Sequence, residues 1–178
     1  DQFAQMLRYS TDTRSRTATM AEEIEFVRSY LMLAKARYED NLEFSIDVPE
    51  NLGDITVPRL TLQPLVENAL NHGFDGKNVL RRLSVSGHIE GGLLVLIIRD
   101  NGTGFSEEML QSLRSRIRAI EEGTVSIEST GGHIGLINTC LRLHYYSKGA
   151  MRIAIGNDNG AVITLTMPYS AEKQLGSE

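Results

Sequence analysis

Residues 93–98 read Leu-Leu-Val-Leu-Ile-Ile, an unbroken apolar run that follows directly on Gly91-Gly92. The run is far shorter than the ~18 residues of a membrane span, and its length suits a buried strand. Just before the glycines, Leu83, Val85, Gly87 and Ile89 alternate with polar residues. The pair therefore reads as a β-hairpin turning at Gly91-Gly92, its second strand buried. Such a strand needs sheet partners and an apolar layer above it. Partners are available in 41–48, where Leu42, Phe44, Ile46 and Val48 alternate before Pro49, in Met151, Ile153 and Ile155, and in Val162–Met167, joined by an Asn157-Asp158-Asn159-Gly160 turn. The covering layer is available in helical stripes. Met20, Ile24, Val27, Leu31, Ala34 and Tyr38 predict a helix over 20–38, opened by a Thr19/Glu22 capping box. Leu62, Leu65, Val66, Ala69 and Leu70 predict another after Pro58, and Leu110, Leu113, Ile117 and Ile120 a third behind a Ser106 cap. A last helix is expected over 135–146 after a polar, Gly/Ser/Thr-rich loop at 122–134. The fold class that follows is a two-layer α/β (α+β) sandwich, with a mixed, mostly antiparallel sheet and helices on one face.

The 178 residues suffice for one domain with a short appendage, and 41% hydrophobic against 23% charged residues is a globular balance. A net charge of -5 argues against nucleic acid as a partner. The small basic clusters Lys77/Arg81/Arg82 and Arg114/Arg116/Arg118 read as solvated surface. The single cysteine, Cys140, permits no internal disulfide and fits a reducing compartment. Residues 1–12 read as the end of a helix, and no signal peptide or spanning segment is visible.

Three segments could carry chemistry. In Gln63-Pro64-Leu65-Val66-Glu67-Asn68-Ala69-Leu70-Asn71-His72-Gly73, Asn68 and His72 share one helix face and Glu67 and Asn71 the adjacent row. An Asn carbonyl suits a hydrated Mg²⁺ that bridges phosphates, although a solvated helix face would look the same. Asp100-Asn101-Gly102-Thr103-Gly104-Phe105 ends the apolar run. Its Asp can accept from a ligand amino group, and its glycines let backbone approach a ring. A hairpin turn is the plainer reading, weakened because a helix start follows rather than a strand. Gly131-Gly132-His133-Ile134-Gly135-Leu136-Ile137-Asn138 leads into a helix, where free N–H groups favour phosphate; a capped loop is its plainer reading. No GxxxxGK[ST] cradle is present.

Taken in order, the three segments resemble the N, G1 and G2 boxes of the GHKL ATPases, a family that includes gyrase, MutL and the histidine kinases. VPRLTLQPL, QPLVENALNHG, LRYS and EEIEFVRSYLMLAKARY look in particular like LytS/YehU-type sensor histidine kinases. The resemblance implies ATP and Mg²⁺ as cofactors. It implies Asn68 as metal ligand, with Glu67 beside it as a candidate to orient or accept a proton. Asn71 and His72 would lie near the phosphates, and Asp100 would accept from the adenine amino group. Gly102 and Gly104 would allow close packing, and Gly132, His133, Gly135, Leu136 and Asn138 would line the phosphates. It further implies a dimerisation and phosphoacceptor segment ending at residue 16, a catalytic domain over 17–170 and a tail over 171–178. The acceptor histidine would precede this sequence, since His72 and His133 fall in the ATP motifs and His88 and His144 read as structural or surface residues. Expected partners are the chain's own histidine-bearing domain in a homodimer and a response regulator. The expected setting is the cytoplasmic side of a membrane sensor.

Three departures from the family pattern matter. Many histidine kinases carry Lys where Asn71 stands, and relatives often carry Thr where Ala161 follows Gly160. Gyrase-like members place a catalytic Glu where this chain has Pro64, which favours phosphoryl transfer over water activation. Another GHKL kinase or ATPase, or a nucleotide-sensing module without catalysis, are the alternative readings.

Overall fold

The computed structural model describes residues 16–72, 74, 79–124 and 134–169. Strand β1 (Thr17–Thr19) leads into α1 (Met20–Tyr38), then β2 (Leu42–Asp47), β3 (Thr56–Pro58), α2 (Gln63–His72), β4 (Arg81–Glu90) and β5 (Leu93–Asp100). Helices α3 (Glu107–Glu121) and α4 (Ile134–Ser147) and strands β6 (Arg152–Asn157) and β7 (Ala161–Pro168) complete it. The main sheet has the order β2-β4-β5-β7-β6, so the apolar run at 93–98 is the central strand. Only β2 and β4 run parallel, Leu42 opposite Arg81 through Asp47 opposite Ser86; the other pairs are antiparallel.

Strand alternation decides which face is covered. Leu83, Val85, Leu94, Leu96, Ile98, Ile163 and Leu165 are buried on one face, where the helices supply Val27, Leu31, Leu65, Val66, Leu113, Leu136 and Leu143. The opposite face carries Ser45, Ser84, Ser86, Arg99, Thr164 and Thr166. Helices on one side of a mixed, mostly antiparallel sheet are thus what the two periodicities call for.

Both expected caps are present. Thr19 Oγ1 accepts from Glu22 N at 3.2 Å while Glu22 Oε2 accepts from Thr19 N at 2.9 Å, and Ser106 Oγ accepts from Met109 N at 3.2 Å. The two-stranded sheet of β1 and β3, antiparallel with Thr17 opposite Pro58, is an addition to the expected fold. Its strands have three residues each, too few to show alternation.

Two basic residues read as plain surface charge are engaged instead. The Arg81 guanidinium stacks 4.4 Å from the Tyr38 ring centroid and 5.4 Å from that of Phe74. Arg114 Nη2 donates to Ile155 O at 3.1 Å, tying α3 to the sheet edge. Arg82 does lie at the surface, paired with Glu43 at 3.0 Å. Lys77 and the helix expected over 1–12 lie outside the described residues.

Candidate functional site

Alternation along β5 turns Asp100 to the same face as Leu94, Leu96 and Ile98, and the residue is 6% exposed. Its Oδ1 accepts from Gly102 N at 2.8 Å and from Ala161 N at 3.2 Å. Two N–H donors on one oxygen hold a buried carboxylate in a fixed direction and offset its desolvation. Ala161 has no side-chain hydroxyl, and its peptide N–H reaches the carboxylate directly. Gly160 makes this approach possible. Its φ is 150°, and a Cβ there would stand 2.0 Å from Asp100 O.

The segment after Asp100 is pinned from both sides. Asn101 Oδ1 accepts from Arg82 N at 2.7 Å and its Nδ2 donates to Leu80 O at 3.0 Å, so the side chain continues the ladder to β4. Asn157 Oδ1 accepts from Phe105 N and its Nδ2 donates to Phe105 O, both at 2.8 Å. Gly104, at φ 69°, lies against that amide, where a Cβ would stand 2.6 Å from Asn157 Oδ1. The segment is a braced connection from strand to helix and no hairpin turn. Asn101 and Asn157 were not singled out in the sequence. The first sits inside the motif and was open to notice, whereas the second lies 52 positions from its partner.

Helix α2 packs on β5 and on α4, with Leu65, Val66, Ala69 and Leu70 buried. This brings the helix that carries Asn68 and the strand that ends in Asp100 together on the covered face of the sheet. Asn68 and Glu67 are half-exposed and Asn71 is exposed. Glu67 Oε2 accepts from Gln63 Nε2 at 3.2 Å. It also lies toward α1: burial raises the Tyr30 pKa above its ordinary value, and the Glu67 charge raises it further. His72 closes α2 with its backbone, and its side chain lies outside the described set.

At the start of α4, Gly135 and Asn138 are exposed, while Leu136 is 0% exposed and anchors the helix in the core. Leu136 can therefore meet a ligand only through its backbone. Thr139 Oγ1 donates to Gly135 O at 2.9 Å, fixing the first turn. Gly132 and His133 lie outside the described residues. Of the other histidines, His88 is exposed 3.7 Å from Glu90 and His144 packs edge-on against Tyr145. Cys140 is buried, which pushes its thiol up to about 12 and leaves it unreactive at neutral pH.

A groove of about 520 Å³ lies at the same end of the sheet, lined by Ser45, Ser84, Arg99 and Asp158 and also by Asp100 and Asn101. Ser45, Ser84 and Arg99 belong to the polar face, whereas alternation along β5 turns the Asp100 side chain toward the face on which α2 packs. The direction of the Asp100 side chain therefore favours the covered side.

The chain is similar to known proteins over most of its length. Residues 53–171 match the model of the histidine kinase-, DNA gyrase B- and HSP90-like ATPases. The chain belongs to that family. It is an ATP-binding catalytic domain of the histidine-kinase type, and residues 1–42 match a second model, histidine kinase. A sensor-like histidine kinase of Staphylococcus epidermidis is 31% identical over 150 residues, which cover 83% of this chain and 29% of the relative. The sensor protein kinase HptS of Staphylococcus aureus is 28% identical over 171 residues, 95% of this chain and 31% of the relative. The chain thus spans under a third of the length of these relatives. Among solved structures, the catalytic domain of histidine kinase ThkA has a TM-score of 0.55 at 14% identity, with 85% of this chain and 94% of that one covered. The histidine kinase AdeS of Acinetobacter baumannii has a TM-score of 0.55 at 12% identity, with 95% and 76% covered. These two likenesses bear on the fold alone.

Proposed function

We propose that this domain binds ATP with Mg²⁺ against the ends of β5, α2 and α4 and hands the γ-phosphoryl group to a histidine outside residues 1–178, for relay to an aspartate of a response regulator. The observation that carries the reading is Asp100. It is a buried carboxylate, fixed through Oδ1 by two backbone N–H groups, at the end of the central strand and beside the helix bearing Asn68. Such a group suits an exocyclic amine in a purine, which offers a planar donor. The half-exposed Asn68 carboxamide suits a metal that keeps most of its water, and Asn71 and the exposed start of α4 suit the phosphates. Magnesium, when bound, supplies charge neutralisation on the phosphates.

The protein's own part is positioning, because phosphoryl transfer asks little covalent help of side chains. In the transfer, the bond from γ-phosphorus to its bridging oxygen breaks, a nitrogen–phosphorus bond to the imidazole forms, ADP leaves and the imidazole N–H proton is released. Glu67 is the candidate to orient that imidazole or take the proton. Pro64, where gyrase-like members have a catalytic Glu, supports transfer to a side chain over hydrolysis. We take residues 17–170 as the catalytic domain, since Thr17–Thr19 pairs with Thr56–Pro58, and 1–16 and 171–178 as flanking segments. The domain's place in the cell would be the cytoplasmic side of a homodimeric membrane sensor; no helix among the described residues is long and apolar enough to cross a membrane.

The test is calorimetric titration with ADP and a non-hydrolysable ATP analogue, with and without Mg²⁺, followed by transfer from ATP to a supplied phosphoacceptor domain. Acid-labile phosphate on the acceptor is expected. Asn68→Ala should leave metal-free ADP affinity in place and remove roughly tenfold or more of the Mg²⁺-dependent gain. Rapid release of free phosphate, or transfer to serine, would overturn the kinase assignment.

A further inference from the structure

Glu23 takes a carboxylate into the core. It lies in the first turn of α1, is 1% exposed, and shares its helix with the fully buried Met20, Val27 and Leu31. Its two oxygens act separately: Oε1 accepts from Leu60 N at 2.6 Å and Oε2 from Leu62 N at 2.9 Å. Both donors belong to the turn that launches α2, where Leu65 N and Val66 N in turn bond to Leu62 O. Leu60 has a φ of 60°, a left-handed conformation that a leucine holds only when its surroundings enforce it. The enforcement comes from both sides. Glu23 of α1 grips its N–H, and Arg142 Nη2 of α4 donates to its carbonyl. The same end of α1 is fastened to the segment just before β3 by Met20 N to Ile55 O at 2.8 Å and Ala21 N to Gly53 O at 2.9 Å.

A local Ser, Thr or Asp caps a helix without desolvating a charge reached from another helix. What the long-range carboxylate adds is direction. It sets where the first turn of α2 lies relative to α1, while Arg142 sets it relative to α4. One helical turn further on, α2 presents Asn68.

We propose that Glu23 is a positioning residue for nucleotide binding: through Leu60 and Leu62, and together with Arg142, it fixes α2 so that the Asn68 carboxamide meets the metal. The inference rests on the reading of Asn68 as the metal-holding residue. Glu23→Gln keeps the size of the side chain but turns an N–H toward one of the two backbone donors. In this chain, the affinity for a non-hydrolysable ATP analogue with and without Mg²⁺, metal-free ADP affinity and the thermal melt are measured side by side. The Mg²⁺-dependent gain should fall about tenfold, the loss of one charge-assisted hydrogen bond, while metal-free ADP binding stays within about twofold. Arg142→Lys, which keeps the charge and loses the planar reach, should move the same ratio the same way. It serves as the reading if Glu23→Gln no longer melts cooperatively. Equal losses with and without metal, or no change in the ratio, overturn the proposal. If the unaltered chain shows no Mg²⁺-dependent gain and Asn68→Ala is silent as well, the metal reading fails first and the proposal falls with it.

Discussion

The two ends of the candidate nucleotide site are built by different means. The proposed purine end, Asp100–Phe105 against Asn157–Ala161, is a backbone construction: Asp100 accepts from the main-chain N–H groups of Gly102 and Ala161, and Asn101 and Asn157 each exchange hydrogen bonds with main-chain groups of another segment. The proposed phosphate end is a set of side chains on helix surfaces, with Glu67 and Asn68 half-exposed and Asn71 and Asn138 exposed. A flat base with fixed donors needs an acceptor held rigidly, and main-chain contacts supply that rigidity. Flexible, hydrated phosphates need charge and oxygen ligands, which helix faces can offer without constraining the core. Changes that break those main-chain contacts should therefore cost fold and affinity together. Changes at the phosphate end should alter affinity and leave stability alone.

Gly160 tests that division most severely. A Cβ at this position would stand 2.0 Å from Asp100 O and 2.9 Å from Asn101 Cα, both backbone atoms. Gly160→Ala must push β7 away from Asp100, and the backbone at φ 150° resists any side chain as well. A loss of about 3 kcal/mol in unfolding free energy is expected from the clash and strain together, with ADP affinity falling in parallel. Urea denaturation beside calorimetry checks this. An unchanged denaturation midpoint would show that the purine end is less tightly built than its contacts imply.

How much of this was legible in the sequence follows the range of the interactions. The apolar run at 93–98 announced the central strand, and the capping residues Thr19 and Ser106 announced two helix starts, because each signal is complete within a few residues. Asp100-Asn101-Gly102 could be distinguished from a hairpin turn by the helix start behind it. The same reasoning failed where partners are distant. Glu23 beside Glu22 looks like a second acid at a helix N-terminus, and only the turn 37 to 39 positions away shows that it is buried. Asn157 looked like part of a β-turn, and Arg81 like a solvated cation until Tyr38 and Phe74 came to face it. The site residues named from the family motifs are spread over three segments, and α2 and β5 do come together on one face of the sheet. Gly132 and His133 stand outside the described residues, and Leu136 turned out to offer only its backbone.

Asp100→Asn should act within the purine end while sparing its architecture. The amide oxygen can still accept from Gly102 and Ala161, so the loop is retained. The other side of the group now carries an NH₂ where a base amine would donate. Two donors facing each other out of water cost about 1–3 kcal/mol, or roughly tenfold to a hundredfold in affinity. Calorimetry should therefore show weaker ADP binding with a nearly unchanged thermal melt. Undiminished ADP affinity would remove Asp100 from base recognition and with it the distinction between the two ends.

The smallest effect is expected at Asn71, on the exposed row of α2. Asn71→Lys adds a cation to that row. An exposed ammonium near phosphates gains only about 0.2–1 kcal/mol, so the affinity for an ATP analogue should rise by at most about fivefold. The gain should be larger for the triphosphate than for ADP, because the added charge acts on phosphates and ignores the base. It should also shrink as salt is raised from about 0.05 M toward 1 M, where screening shortens the reach of a surface charge to a few ångströms. Stability should not change, since the residue is solvated and no core contact depends on it. A gain equal for ADP and the triphosphate, or one indifferent to salt, would mean that position 71 does not face the phosphates, and the phosphate end would have to be sought along the Asn68 row alone.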